Sequence, residues 1–334
     1  MNMPGRKLRV SLTNAGSLAW LSCSLILGQP SLAAKDQGTK KATATGPQHF
    51  RFEAVSDKSL KLWEGAHPVL VYNHGVMTSQ SAPNAKGRSS YFHPVYGLDG
   101  EVLTDDFPKD HENHRGLHWA WPHIKIDDQE VDLWSLRDIR HEFQRWLARE
   151  ADSKGAVLGV ENGWFVGDKR VMLERVWARI HPESSQGRFI DLDLTLTPEG
   201  RPITLWGAEG KSYGGLTLRF GPRSKTILTV PSGRSSEDLL ITRLPWADLS
   251  GDLKGNDALS GAAVFVNPKH PGYPPTWMIR HYGLLAVGWP GITPESLPAG
   301  KAVSLSYRIW IHRGAPETAE IQKVYEAYRN QRKN

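Results

Sequence analysis

Ile190-Asp191-Leu192-Asp193-Leu194-Thr195-Leu196-Thr197 alternates strictly between apolar and polar side chains. Successive side chains of a β-strand point to opposite faces, so a period of two predicts a strand with one face buried and one face in water. Residues 170–180 show a similar alternation, and glycine, proline and aspartate punctuate the chain between such segments. This pattern predicts an all-β fold.

Strand-like segments recur along the rest of the chain. Their number and spacing favour one large antiparallel sandwich or barrel over residues 50–334. One helix is predicted over residues 316–329, where proline and glutamate stand early and arginine stands late. Residues 135–147 fit either a helix or a strand. The other segments expected to be strands are residues 50–55, 60–63, 68–72, 216–220, 262–266, 278–287 and 303–311.

Residues 1–34 have the pattern of a secretory signal peptide. A basic start is followed by a short apolar run over residues 18–27 and then by small residues ending in Ala33-Ala34. We therefore expect cleavage after residue 34, a flexible polar leader over residues 35–49, and a periplasmic or extracellular protein. Cleavage would remove the one cysteine, Cys23, and leave no thiol or disulfide chemistry.

The charge balance argues against a nucleic-acid partner. Loss of Arg6, Lys7 and Arg9, with no acidic residue among the first 34, lowers the formal net charge from +6 to +3. A nucleic-acid-binding protein needs a clustered basic face, which this sequence does not show. No later apolar run is long enough to span a membrane, so no membrane partner is expected after signal cleavage.

Residues 105–123 are dense in ionisable side chains. Four of the thirteen histidines, His111, His114, His118 and His123, lie within thirteen residues. Pro108, Gly116 and Pro122 oppose a long helix, so we expect a loop that leads into a short strand. On that strand Leu117, Trp119 and Trp121 would share one face, with His118 and Ala120 on the other.

Acid/base chemistry is one interpretation of this segment. An imidazole titrates near neutral pH and can donate or accept a proton, so His111 and His114 are the candidate catalytic pair. Arg115 would hold a substrate oxygen through its guanidinium. Glu174 or Glu209 would supply a carboxylate partner. The alternative is that these are loop residues that satisfy backbone groups and neighbouring acids.

Metal binding is a second interpretation of the same segment. His111, His114 and Asp106 would then ligate a divalent metal, since imidazole and carboxylate ligands suit zinc, iron or copper. Six other residues are candidates for substrate binding, although each also fits a packed core or a polar turn. They are His93, Tyr213, Arg219, Trp246, Asp248 and His312.

Several motifs together resemble a family of secreted bacterial proteins catalogued as PmoA-like or methane oxygenase. The resemblance covers roughly residues 50–330. Its motifs are Tyr91-Phe92-His93-Pro94, Leu103-Thr104-Asp105-Asp106-Phe107-Pro108, Asp110-His111-x-x-His114-Arg115-Gly116, Tyr213-Gly214-Gly215-Leu216 with Arg219, Trp246-x-Asp248-x-Ser250-Gly251, Asn267-Pro268-x-His270-Pro271 and Tyr307-Arg308-x-Trp310-x-His312-Arg313-Gly314.

In its strand-rich pattern and its histidine-rich segment, the family is similar to galactose-mutarotase-like proteins. The resemblance implies a large antiparallel β-supersandwich with a short C-terminal helix, a small-molecule or oligosaccharide ligand, and a histidine acid with a carboxylate base. Because the family name comes from a membrane-bound oxygenase and this chain has no later spanning segment, methane oxygenation is not the activity that we expect.

The expected function is therefore that of a secreted carbohydrate-active enzyme, an isomerase, lyase or hydrolase, that uses its clustered histidines on a sugar. A metal-dependent enzyme is the first alternative. A carbohydrate-binding protein without catalysis is the second, because thirteen tryptophans supply many faces for sugar rings.

Overall fold

The computed structural model describes residues 49–83 and 86–331. The expected signal segment, residues 1–34, and the expected leader up to residue 48 lie outside these residues. Most of the described chain is β-strand, and one helix follows the last strand. In chain order the elements are β1 (Phe50–Ser56), β2 (Ser59–Glu64), β3 (His67–Asn73), β4 (Tyr91–Val95), β5 (Leu117–Ala120), β6 (His123–Ile126), β7 (Gln129–Val131), β8 (Arg140–Ala151), β9 (Ala156–Val166), β10 (Lys169–Ile180), β11 (Arg188–Pro198), β12 (Ile203–Trp206), β13 (Gly215–Arg219), β14 (Ser224–Val230), β15 (Gly233–Ser235), β16 (Leu239–Arg243), β17 (Trp246–Asp252), β18 (Ser260–Val266), β19 (Thr276–Arg280), β20 (Leu284–Gly288), β21 (Glu295–Leu297), β22 (Val303–Arg313) and α1 (Thr318–Gln331).

The strands of residues 49–83 and 86–331 form three sheets, in which neighbouring strands pair antiparallel. The first sheet has nine strands in the order β1-β2-β3-β4-β5-β13-β20-β19-β16. The second has nine in the order β15-β14-β17-β18-β22-β11-β10-β9-β8, and the third has four in the order β21-β12-β6-β7. The expected all-β supersandwich with a short C-terminal helix is confirmed.

Both nine-stranded sheets contribute side chains to one apolar core. On β11 the leucines at 192, 194 and 196 are fully buried. The aspartates between them point to the other face, where Asp191 pairs with Arg308 and Asp193 with Arg179. Burial of each leucine stabilises the fold by roughly 1.5–3 kcal/mol. The alternation in the sequence therefore corresponds directly to one buried face and one polar face.

Helix α1 covers the outer face of the second sheet. Its apolar stripe consists of Ile321, Val324, Tyr325 and Tyr328, all buried. These side chains pack against aromatic residues of β17, β18 and β22, which form a second apolar cluster distinct from the main core. The helix thus buries an apolar sheet face that would otherwise meet water.

Two segments differ in detail from the sequence expectation. Residues 135–147, which fit a helix or a strand, lie in a turn and in β8, because β8 pairs with β9 along most of its length. Residues 278–287 form two strands, β19 and β20, rather than one. The chain reverses at Gly283, whose φ of 112° favours glycine. This turn places Tyr282 beside the loop that carries His111 and His114.

Candidate functional site

Strand β5 places a histidine on the outer face of the first sheet. His118 and Trp119 are consecutive, so their side chains point to opposite faces. Because Trp119 packs in the shared core, His118 faces away from that core. In the sheet register His118 lies opposite Thr217, Thr217 opposite Ala286, and Ala286 opposite Met278. This row lies beneath the candidate site, and Met278 is the member of it that lines the pocket.

Arg115 holds the histidine loop, residues 105–116, in shape. Its side chain is 1% exposed and donates to the main-chain carbonyls of Glu112 at 2.6 Å, His114 at 2.7 Å and Lys86 at 3.1 Å. The sequence predicts that Arg115 binds a substrate oxygen. The structure instead occupies its donors with carbonyls, because a loop leaves such groups without sheet partners.

Three rings stack at the mouth of a pocket above the sheet floor. The ring centroids of His111 and His114 are 4.6 Å apart with planes 13° from parallel, and those of His111 and Tyr282 are 4.7 Å apart. Trp134 meets His114 edge to face at 5.5 Å and lies 4.5 Å from Tyr213. Residues distant in sequence therefore converge here.

These rings enclose a small pocket of about 160 Å³. It combines aromatic faces with basic and titratable groups, which is the mixture typical of small-molecule sites. Of the residues expected to act on a substrate, His111, His114 and Tyr213 line it together. The full lining is His111, His114, Trp134, Lys211, Tyr213, Met278, Arg280 and Tyr282.

His114 is held in its neutral form. Burial lowers its pKa to about 3, and the positive charges of His111 and Arg219 act in the same direction. Its Nδ1 is buried and has no hydrogen-bond partner among the described residues. A neutral imidazole has one nitrogen that donates and one that accepts, so the unpaired Nδ1 is available for a hydrogen bond with a bound molecule.

Asp110 connects the exposed imidazole to a buried cation. Arg219 donates two hydrogen bonds to its carboxylate at 2.7 and 2.9 Å, and Nδ1 of His111 lies 3.1 Å from Oδ2. Burial alone would raise the pKa of Asp110, but the bonds from Arg219 and His111 hold it below its ordinary value. Arg219 also lies 4.8 Å from the ring centroid of Tyr282. It supports the pocket from behind, since it does not line it.

A third histidine lies behind the pocket. Nδ1 of His118 is 2.9 Å from the carbonyl of Arg115, which can only accept, so Nδ1 carries the hydrogen. Burial lowers the pKa of His118 well below its ordinary value, so Nε2 has a lone pair. Nε2 and the Oγ1 of neighbouring Thr217 are both buried and have no hydrogen-bond partner in the part of the chain that the structure describes. Such atoms normally bind an ordered water or a ligand.

Glu174, expected as a catalytic carboxylate, lies in the core between the two large sheets. Its side chain is fully buried. It accepts hydrogen bonds from His141 at 2.9 Å, Asn162 at 2.8 Å, and the indoles of Trp119 and Trp164, each at 2.9 Å. Burial alone would raise its pKa, but the charge of His141 and these donors hold it below the ordinary value. Glu174 does not line the pocket.

Trp246, Asp248 and His312, expected to bind substrate, lie on the second sheet beneath α1. The indole of Trp246 is buried and donates to Gln322 of the helix at 2.8 Å. Nε2 of His312 lies 2.7 Å from Oδ2 of Asp248, and both side chains are buried. Because α1 covers this face, the three residues are separated from the histidine pocket.

His93 and Glu209 also lie apart from the pocket lining. Nδ1 of His93 is 3.0 Å from Oγ1 of Thr104, and burial lowers the pKa of His93 to about 4. Glu209 is exposed on the turn before Tyr213. Neither residue contributes a side chain to the pocket described above.

The metal-ligand set expected from the sequence is not assembled. Asp106 accepts a hydrogen bond from the hydroxyl of Tyr91 at 2.8 Å and lies 3.6 Å from Arg115. Its pKa is raised to about 6, chiefly by burial. His111 and His114 stack face to face, which directs their ring nitrogens along parallel planes. Within residues 49–83 and 86–331, no group of three or more His, Cys, Asp or Glu side chains is placed to hold a metal.

A larger surface depression of about 740 Å³ lies at another edge of the protein. Its charged lining residues are paired: Arg313 with Asp99 and Glu183, which also line it, and Glu64 with Arg188, which does not. The small pocket contains unpaired polar groups and a buried neutral imidazole, so it is the stronger candidate despite its size.

Several pocket residues were not singled out by sequence reasoning. His118, which lies behind the pocket and does not line it, has a signal in the sequence, because its alternation with Trp119 places it on the face away from the core. Trp134, Arg280 and Tyr282 have no such signal in the sequence, since they come from separate segments that meet only in the folded sheet.

In residues 49–83 and 86–331, no helix has the length and apolar content that a membrane span requires.

Several carbohydrate-active enzymes of known structure resemble the fold. A mutant heparan sulfate lyase from Pedobacter heparinus is 7% identical with a TM-score of 0.37, and the match covers 81% of this chain and 36% of the lyase. A GH36 alpha-galactosidase from Geobacillus stearothermophilus is 12% identical with a TM-score of 0.35, covering 79% of this chain and 40% of that enzyme. This chain thus spans little more than a third of the lyase.

A galactose mutarotase related enzyme from Lactobacillus acidophilus is 8% identical with a TM-score of 0.33, covering 80% of this chain and 99% of that chain. At such identities and TM-scores, the function has to be argued from this chain's own residues. No curated protein matches the chain in sequence. The family model described as "Family of unknown function (DUF6807)" matches residues 59–326, most of the chain. The chain therefore belongs to the DUF6807 family.

Proposed function

We propose that this protein is a carbohydrate-active enzyme in which His111 and His114 perform acid/base chemistry on a sugar bound in the small pocket. The observation that carries the proposal is the stacked imidazole pair at the pocket mouth, with one ring buried and one ring exposed. A general acid/base typically accelerates a reaction by about 10²- to 10⁴-fold.

The two imidazoles suit different parts of a proton transfer. His114 is neutral at pH 7, since its pKa is lowered to about 3, and its Nδ1 has no competing partner. His111 reaches solvent, and its Nδ1 lies 3.1 Å from Oδ2 of Asp110. In this proposal His114 contacts the bound molecule, and His111 passes protons between that molecule and water.

The aromatic lining suits a sugar ring. Trp134, Tyr213 and Tyr282 surround the pocket, and the hydroxyls of both tyrosines have no hydrogen-bond partner among the described residues. A sugar has apolar C–H faces that pack on such rings and hydroxyls that bond to such phenols. Rigid aromatic walls with a few polar groups are typical of ligand pockets.

The reaction class follows from what the lining lacks. Glycoside hydrolysis usually needs two carboxylates that flank the scissile bond. Among the described residues, the eight that line the pocket include no aspartate or glutamate. Proton transfer by imidazole is therefore better suited to isomerisation or elimination than to hydrolysis.

The test is a substrate screen on the full secreted chain. Purified protein is incubated with oligosaccharide and glycoside panels, and mass spectrometry and NMR detect cleaved, unsaturated or isomerised products. We expect turnover that falls by about 10²-fold or more in His114→Ala. The matched control is His67→Ala, which removes an exposed imidazole on β3 with no ion pair among the described residues.

Two outcomes would contradict the proposal. Turnover that is equal in wild type and His114→Ala would remove the histidine from the mechanism. Sugar binding without turnover, with the same affinity in wild type, His114→Ala and His67→Ala, would make the protein a carbohydrate-binding protein instead.

A further inference from the structure

We infer that the sugar bound in this pocket is a sugar acid, whose carboxylate is held by Lys211 and Arg280. The inference rests on the proposed function and names the substrate class for the same site. It follows from the charges that face the pocket and from the partners that those charges already have.

The pocket lining is basic. Lys211 and Arg280 contribute two permanent cations, and His111 and His114 contribute two imidazoles. No acidic side chain stands among the described lining residues. Charged groups inside a partly closed site attract the opposite charge and raise its local concentration. A neutral sugar would leave the charge of Lys211 without a counterpart among the described residues.

Lys211 is the cation that a ligand can use fully. It is exposed on the turn between β12 and β13, and its ammonium group makes no ion pair or hydrogen bond among the described residues. The turn is tight, because the amides of Lys211 and Ser212 both donate to the carbonyl of Ala208. A Cβ at Gly207 would lie 2.8 Å from the carbonyl oxygen of Ser212, so glycine permits this close approach. The ammonium group is thus presented on an ordered support.

Arg280 has N–H donors that no hydrogen bond uses among the described residues. One of its nitrogens donates to Oδ2 of Asp238 at 3.1 Å. The other oxygen of Asp238 accepts from the main-chain and ring nitrogens of His281, at 2.8 and 2.9 Å. A guanidinium has five N–H donors, so most of those on Arg280 remain unused. A carboxylate is the anion whose two oxygens match a planar pair of these donors.

The nearest acids pair with part of the lining but leave Lys211 without a partner among the described residues. Asp110 is engaged by Arg219 and His111, and Asp238 by Arg280 and His281. Lys211 therefore remains an unmatched positive charge at the rim. A ligand that brings its own carboxylate would complete the pairing.

The experiment measures affinity of the full chain for matched sugars by isothermal titration calorimetry. Methyl glycosides of glucuronate and galacturonate are compared with those of glucose and galactose, with uronate-containing oligosaccharides and glucose 6-phosphate as further arms. We expect at least one sugar acid to bind about tenfold more tightly than its neutral partner, since charge-assisted hydrogen bonds are roughly twice as strong as neutral ones.

Variants assign that preference to residues. Lys211→Ala is expected to remove about tenfold of affinity for the acid and none for the neutral sugar. Arg280→Gln should act in the same direction, and its melting temperature is checked because Arg280 also pairs with Asp238. Lys301→Ala is the matched control, because Lys301 is exposed in the turn before β22.

The outcomes separate this inference from the proposed function. If neutral sugars bind as tightly as acids, or if Lys211→Ala weakens both equally, the sugar-acid assignment is wrong while the carbohydrate proposal stands. If glucose 6-phosphate binds as tightly as the uronates, the site recognises anions in general and the carboxylate assignment is overturned. If no sugar of any kind binds, both proposals are overturned.

Discussion

The indole Nε1 of Trp119 donates a 2.9 Å hydrogen bond to Oε2 of Glu174, and this bond joins the two large sheets through the core. Trp119 belongs to β5 of the first sheet and Glu174 to β10 of the second. His118, the residue before Trp119, faces the opposite side and forms the back of the candidate pocket. The core network therefore fixes the strand that carries the site.

Replacement of Glu174 should cost stability. Glu174→Gln leaves one acceptor oxygen for four donors and introduces an amide N–H₂ without an acceptor. We expect the free energy of unfolding to fall by roughly 2–4 kcal/mol, as when a buried charged partner is removed. Chemical denaturation measures it.

The control for this change is Glu142→Gln on β8. Among the described residues Glu142 forms its ion pair with Arg140 at the surface, so its loss should alter the free energy of unfolding by less than about 1 kcal/mol. A Glu174→Gln protein with unaltered stability and abolished activity would show that Glu174 acts in catalysis after all.

Acid should destabilise the protein through His114. Its pKa is about 3 in the folded protein and about 6.5 in the unfolded chain, so below pH 6.5 the unfolded chain binds a proton that the folded one does not. The stability from this group is complete above pH 6.5 and is lost as the pH falls towards 3. Between pH 7 and pH 5 we expect a loss of about 2 kcal/mol from this residue.

Comparison with His114→Gln isolates this contribution. Asp106 contributes to the pH dependence with the opposite sign. Its raised pKa of about 6 means that the folded protein binds a proton at a higher pH than the unfolded chain does, so this group adds stability as the pH falls. The variant keeps Asp106 and loses the titrating imidazole, so its stability should vary less between pH 7 and pH 5. An equal pH dependence in both proteins would contradict the buried, neutral state of His114.

The ring of Tyr282 should matter more than its hydroxyl for the shape of the pocket mouth. Tyr282 stacks on His111 at 4.7 Å and lies 4.8 Å from Arg219. Tyr282→Ala removes both contacts, and we expect sugar affinity to fall by about tenfold, the scale of an aromatic pair. Tyr282→Phe keeps the ring and should stay within about threefold of wild type. Equal losses in the two variants would assign the effect to the phenol.

Trp246 is expected to contribute to stability rather than to sugar binding. Trp246→Phe loses the hydrogen bond to Gln322 and part of the packing under α1. The free energy of unfolding should fall by about 1–3 kcal/mol, while affinity of the folded protein for sugars stays unchanged. A variant with normal stability and weaker sugar binding would restore the substrate-binding role that the sequence suggests.

Export is expected to remove the predicted signal peptide. We predict that protein recovered from the periplasm or medium of a bacterial host lacks residues 1–34. Intact-mass measurement checks this, with Ala34→Leu as a variant that should block cleavage, because signal peptidase needs a small residue next to the bond that it cuts. A retained N-terminus, or a lipid on Cys23, would contradict the prediction.

The clustered histidines allow part of the candidate site to be predicted from the sequence. His111 and His114 share a pocket as expected, since they are three residues apart on one loop. Arg115, one residue further, turns inward because its donors satisfy loop carbonyls. Near neighbours in sequence can thus have different roles, according to which backbone groups lack a partner.

Periodicity along single segments is a local property, and the sequence alone was enough to determine it. Alternation over residues 190–197 depends on strand geometry and burial, so it predicts β11 and the all-β class without knowledge of any partner strand. The short C-terminal helix follows from the same kind of local pattern.

Tertiary structure decided which face of each strand packs into the core. Both faces of β10 carry apolar side chains, so periodicity does not show that Glu174 faces the core, where four donors from three other strands meet it. Likewise Tyr282 reaches His111 only because β13 and β20 bring residues about 170 positions apart onto one sheet face. Such contacts depend on strand order, and strand order arises from packing of the whole chain rather than from any one segment.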